Sequence, residues 1–124
     1  MCFTVDSKYP NELIAENDFF CYKHMYKVGK YFCSPVYPTK WLPGVLIKAR
    51  GRSKRRVLAV GKDNTIEAAI HSYNIKSVAK IHRKYGEIIA QCKIPKGSRY
   101  YANDHQYVSD RIIIVKEVKW LPKH

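Results

Sequence analysis

"FFCYKHMYKV", residues 19–28, is the stretch on which the fold turns. It is rich in aromatic residues and roughly alternates in polarity, the pattern of a strand half-buried in a sheet. Extended backbone sends neighbouring side chains to opposite faces, so Tyr22, His24 and Tyr26 share one face and Cys21, Lys23 and Met25 the other. A helix would scatter both sets, so the segment predicts a sheet.

Two further segments downstream read as strands. "EIIAQCKI" (87–94) and "RIIIVKEV" (111–118) are apolar enough to be central in a sheet, and "PKGSRYYANDHQYVSD" between them supplies a turn at Pro95–Gly97 and a polar loop. After Asn74, a helix cap, Ile75, Val78, Ala79 and His82 recur at helical spacing, and Gly86 is a stop signal. "IEAAIHSY" (66–73) is ambiguous between a short helix capped by Thr65 and a strand. Residues 33–44, with Pro35, Pro38 and Pro43, read as an extended proline-stiffened loop. The expected fold is therefore α+β: a single domain over residues 1–124, with a mixed or antiparallel sheet and one packed helix. Residues 1–18 form an acidic, loosely ordered N-terminal segment.

A chain of 124 residues is long enough for one core and too short for two. Its 46% apolar and 27% charged residues are the composition of a folded globular protein. No apolar run approaches the length of a transmembrane helix, about 20 residues. "MCFTVDSKYPNE" has neither the basic start nor the apolar stretch of a signal peptide. The expected compartment is the cytoplasm, the host cytoplasm if the protein is phage-encoded, and no membrane partner is expected. Cys2, Cys21, Cys33 and Cys92 lie far apart, without the close pairs of structural zinc sites, so they read as free thiols. A site built from Cys21, His24 and Cys33 is not demanded by their spacing. Neither metal nor cofactor is expected.

The net charge is +13, and its distribution says more than its size. Residues 1–18 hold Asp6, Glu12, Glu16 and Asp18 against Lys8, whereas Phe19 to Lys62 contains eleven Lys and Arg and no carboxylate. Within it, "KARGRSKRR" (48–56) places Lys48, Arg50, Arg52, Lys54, Arg55 and Arg56 between the runs 45–48 and 56–60. Gly51-Arg52-Ser53 is turn chemistry, so the reading is a hairpin whose extended arms present a basic comb. Such a tip is either solvated and protective against edge pairing or a binding surface. A field with no local acid favours an anionic partner: nucleic acid, a nucleoprotein, or an acidic host protein surface. In the last case, aromatic anchors are expected from Tyr31, Phe32, Tyr37 and Trp41 beside the comb.

Catalytic signatures are missing from the sequence: it has no Gly-rich phosphate loop, nucleophile elbow or His-x-x-x-His pattern. His71, Tyr73 and Asp110 come nearest to a catalytic set, with a structural His71 as the simpler reading.

"IHSY" (70–73), "CKIPKGSRYY" (92–101) and "YVSDRIIIVKEV" (107–118) resemble the C-terminal part of small uncharacterised proteins of bacteriophages and their hosts, in which a His-Ser-aromatic triplet precedes an Ile-Pro-Lys-Gly turn and a closing strand. The resemblance covers roughly the second half of the chain and implies a small accessory factor that binds nucleic acid, nucleoprotein or a host defence complex as an inhibitor. The same segment is similar to mono-ADP-ribosyltransferases, in which that turn leads to a Glu-x-Glu catalytic strand acting on NAD. Here Val108-Ser109-Asp110 stands at that place, so the family's glutamate is absent, with only Asp110 nearby.

Overall fold

The computed structural model describes residues 3–34, 40–50, 56–66 and 68–118. Its strands are β1 (Phe3–Thr4), β2 (Leu13–Ile14), β3 (Phe19–Val28), β4 (Tyr31–Cys33), β5 (Lys40–Trp41), β6 (Leu46–Lys48), β7 (Thr65–Ile66), β8 (Ile70–Tyr73), β9 (Ile88–Ile94), β10 (Arg99–Ala102), β11 (Gln106–Ser109) and β12 (Arg111–Val118). A single α-helix, α1, covers Lys76–His82 among the described residues.

The fold is thus sheet-rich, with about half of the described residues in strands, and the expected α+β class is overturned. The expected helix shrinks to seven residues, and Ile75, assigned to its apolar stripe, is half exposed. A segment this short has little stability of its own and forms only where packing allows. Elsewhere the β-prone residues find partners: Thr65 enters β7 rather than capping a helix, and the expected polar loop contains β10 and β11, paired as a hairpin through Tyr101↔Val108.

The large sheet runs β2-β10-β11-β8-β3-β9-β12-β6, with β4 also paired to β3 and β5 to β4. Every described strand pair is antiparallel. β3 lies at the centre. Its register with β9 runs unbroken from Phe19↔Ile94 to Met25↔Ile88, because the aromatic and β-branched residues of both strands pair well across the ladder. One residue, Asp110, separates β11 from β12, yet the two strands have different neighbours, so the chain turns a corner there. The corner is tied by Asp110 N donating to Arg99 O, Ala49 N donating to Asp110 O, and Arg99 N donating to Asp110 Oδ1.

Alternation along β3 sorts the molecule into an inner and an outer face. Phe19, Cys21 and Met25 pack inward with Cys92, Ile94, Ile112, Ile114 and Ile47, and Phe32 and Trp41 of β4 and β5 complete this main core. On the outer face, the small β1–β7 sheet adds Phe3 and Ile66 to Leu58, Tyr101 and Val108. In the N-terminal segment Phe3 and Ala15 are buried, while most residues between them are exposed. Next to this second core, Ala79 of α1 packs on Tyr73, Ile89 and Tyr22. On the rest of the outer face, where β3 and β12 begin and β9 and β6 end, Phe20 and Leu46 stay exposed.

The expected 45–60 hairpin is also corrected. β6 pairs with β12, through Lys48↔Arg111 and Leu46↔Ile113, and not with residues 56–60. Residues 57–58 instead turn, with Leu58 in the left-handed region (φ 62°) and buried, while Val60 bridges to Ile66. Leu58 is buried in the second core and Ile47 packs against the first, which takes apolar surface of both segments out of water.

Candidate functional site

Register alone builds the uncovered outer face. Directly opposed residues point to the same side, so Phe20↔Lys93, Lys93↔Ile113 and Ile113↔Leu46 form one continuous row across four strands. Phe20 is 56% exposed and Leu46 42% exposed, unusual for large apolar side chains set in strands. Beside this row lie Lys48 opposite Arg111 on one side, and Tyr22, Gln91 and Lys116 on the other. The surface is an aromatic and aliphatic strip bordered by cations. Past Lys48 the chain leads through Arg50 into the basic cluster.

Several acids of the described residues are held in ion pairs or hydrogen bonds, two of them with cations of this surface, Lys93 and Arg111. Glu12 pairs with Arg99 at 3.3 Å, Glu117 with Lys27 at 3.0 Å, and Asp110 with Arg99 and Arg111 at 3.5 and 3.6 Å. Asp18 lies 3.7 Å from Lys93 and accepts a hydrogen bond from Lys96 N. Glu87 is taken by His24. Lys48, Arg50 and Arg56 are exposed and have no carboxylate partner among the described residues.

Arg52, Lys54, Arg55 and Tyr37 lie outside the described residues. Of the other expected anchors, Tyr31 is half-buried, with the ammonium groups of Lys30 and Lys40 5.5 and 5.4 Å from its ring. Phe32 and Trp41 are core residues, 3% and 8% exposed. His71, Tyr73 and Asp110 do not converge. Tyr73 opposes Gln106 and His71 opposes Val108, so Asp110 stands four positions beyond the partner of Tyr73, about 13 Å at the usual strand rise. The Asp110 carboxylate is instead engaged by Arg99 and Arg111 at the corner. Cys21 and His24 point to opposite faces of β3, and no group of three metal-binding side chains occurs among the described residues.

Three polar features were not expected from the sequence. First, the Glu87 carboxylate is buried without solvent contact, within 3.1 Å of His24 Nδ1, and accepts a hydrogen bond from Lys84 N at 2.6 Å. His24, Tyr73 and His82 continue outward as a chain of rings, Tyr73 and His82 being stacked nearly parallel at 5.0 Å. Burial pushes the Tyr73 phenol up, a hydrogen bond with Gln106 opposing it. Second, His82 and Tyr73 form part of a cleft of about 430 Å³ bordered by Asp6, Asn103, Asp104 and His105.

Third, Lys23 is buried. β3 pairs with β8 only at Tyr22↔Tyr73 and with β4 only from Tyr26 onward, so residues 23–25 have no described ladder partner on that edge. The ammonium of Lys23 fills the gap by donating to His71 O, and it lies 5.9 Å from the Trp41 ring centre. Burial pushes the Lys23 ammonium down from its usual range, with the Cys92 and Cys21 sulfurs opposing. The signal in the sequence was the position of Lys23, between Cys21 and Met25 on the apolar phase of the strand. Long basic side chains at such positions usually snorkel to water, which is why it reads as ordinary.

Comparison with known protein families, curated sequences and solved structures finds no match to this chain. No helix among the described residues is long and apolar enough to cross a membrane.

Proposed function

We propose that the protein binds nucleic acid or a nucleoprotein surface in the cytoplasm, through the basic 48–56 segment together with the outer strip of β3, β9, β12 and β6. The observation that carries this reading is the charge of Lys48, Arg50 and Arg56, unpaired among the described residues, together with the exposed side chains of Phe20 and Leu46. A cationic border follows a phosphate backbone and an exposed ring offers a stacking platform, the two elements of single-strand recognition. Lys48 opposite Arg111 places like charges across one strand pair. Asp110, shared with Arg99, offsets that cost in part, and a bound polyanion relieves the remainder.

An acidic host protein surface is served by the same cations, but two of its four expected anchors, Phe32 and Trp41, are packed in the core. An enzyme acting on NAD draws no support from His71, Tyr73 and Asp110, which do not converge.

The test is oligonucleotide binding as a function of salt. Replacing Arg50, Arg52, Lys54, Arg55 and Arg56 with Gln weakens binding and flattens the salt dependence. For each phosphate no longer neutralised, the log-log slope drops by about 0.7 of a unit on a single strand and about 0.9 on a duplex. Unchanged affinity and slope in the folded quintuple variant would remove the reading.

A further inference from the structure

Cys21 and Cys92 are register partners on β3 and β9, both fully buried and both on the core face. Directly opposed residues of an antiparallel pair hold their Cβ atoms about 4.5–5.5 Å apart. A disulfide uses about 3.5–4.5 Å, so closure asks for an adjustment on the order of 1 Å. Lys23, two residues from Cys21, shares their face. Its ammonium has no carboxylate partner among the described residues, so the sulfurs are the neighbours able to take up negative charge.

We infer that Cys21, Cys92 and Lys23 form a redox-active dithiol site that peroxide-class oxidants close to a cross-strand disulfide. Cys21 is the sulfur that attacks. Burial raises its thiol, but the Cys92 thiol, the Ser72 hydroxyl and the Lys23 charge beside it outweigh that and leave it below its ordinary value. The Cys92 thiol is pushed well up by its hydrogen bond to Cys21 and by burial, so it keeps its proton and serves as the resolving group. Residues 23–25 of β3 have no described ladder partner on the β8 and β4 edge and Lys23 fills that gap, so its side chain is what a water-sized oxidant has to displace to reach the pair.

In the first step the Cys21 thiolate attacks one peroxide oxygen. The O–O bond breaks, Lys23 gives its proton to the departing hydroxide, and Cys21 becomes the sulfenic acid. The Cys92 sulfur then attacks the Cys21 sulfur, and its proton leaves with the hydroxyl as water. Thiolate, thiol, ammonium and hydrogen peroxide become a disulfide, a neutral amine and two waters. The two sulfurs are oxidised by two electrons, and the peroxide is reduced by two. The neutral amine suits its burial, since desolvation disfavours the charged form.

The experiment uses the intact folded chain and hydrogen peroxide, followed by alkylation under denaturing conditions, trypsin and mass spectrometry. Cys2, Cys21, Cys33 and Cys92 fall in separate tryptic peptides, residues 1–8, 9–23, 31–40 and 85–93. The expected product joins 9–23 to 85–93, while Cys33 on β4 is recovered alkylated. Recovery of Cys21 and Cys92 as alkylated thiols after Cys33 has oxidised, or joined to any other cysteine, would overturn the inference. In Cys92→Ser the sulfenic acid on Cys21 persists and is trapped by a dione reagent; no trapped adduct counts against the attacking role of Cys21. Lys23→Met slows disulfide closure about tenfold, as expected when a neighbouring cation no longer supports the thiolate. An unchanged rate would remove Lys23 from the site. If a variant does not fold, the wild-type peptide map decides alone.

Discussion

The side chain of Lys23 and the backbone carbonyl of His71 meet where β3 and β8 part, so a cation closes a gap that strand pairing leaves open. The same cation bears on the His71 imidazole. Burial first, and the Lys23 charge second, push His71 down from 6.5 to about 4. Between those values the unfolded chain binds a proton that the folded chain does not, so stability is full above pH 6.5 and falls as pH drops toward 4. The whole window is worth about 3 kcal/mol at roughly 1.36 kcal/mol per pH unit. Urea midpoints measured across this range decline with acid in the wild type, and the decline is shallower in His71→Asn. Equal pH slopes in the two would show that His71 does not titrate this way.

Glu87→Ala costs about 2 kcal/mol, within the usual range when a buried hydrogen-bonding group is removed and its partners are left unsatisfied. Lys84 N loses its acceptor, His24 Nδ1 loses its hydrogen-bond partner, and the turn that follows α1 loses its tie to β3. Glu87→Gln, which keeps an acceptor, costs less. Denaturant unfolding of the two variants gives the comparison; equal losses would mean that packing, and not the carboxylate's hydrogen bonds, sets the effect.

Trp41→Ala is a stability variant in this structure. The ring is 8% exposed and packed in the main core. Its removal therefore costs about 3–5 kcal/mol. If unfolding measurements place Trp41→Ala within about 0.5 kcal/mol of the wild type, the range ordinary for surface changes, the ring is not a core element.

Phe20→Ala separates binding from folding. With 56% of the residue exposed, its loss leaves stability within about 0.5 kcal/mol. If the ring stacks on a base, single-stranded oligonucleotide affinity falls by about 1–3 kcal/mol while duplex affinity changes less. Fluorescence anisotropy with both substrates makes the comparison, and parallel losses on the two would argue against stacking.

The chain order of chemistry along 19–28, 88–94 and 111–118 by itself determined three central strands, because alternating or continuous apolar runs bounded by turn residues have few other ways to bury their side chains. It also determined the positive field that begins at Phe19, since no acid occurs from there to Lys62. Alternation defined two faces of β3 but not which would be covered, so Lys23 and Phe20 were legible as residues on a strand and not as a buried cation and an exposed ring. That choice belonged to β4, β5, α1 and the β1–β7 sheet, which cover the inner face and only part of the outer one. Only tertiary structure decided that residues 46–48 pair with β12 rather than with 56–60, that residues 99–109 form a hairpin, and that Cys21 stands opposite Cys92. Each is a pairing between segments whose local preferences permit several partners. The choice among partners is made by the total apolar surface buried once the whole chain has folded, a quantity that no short stretch contains.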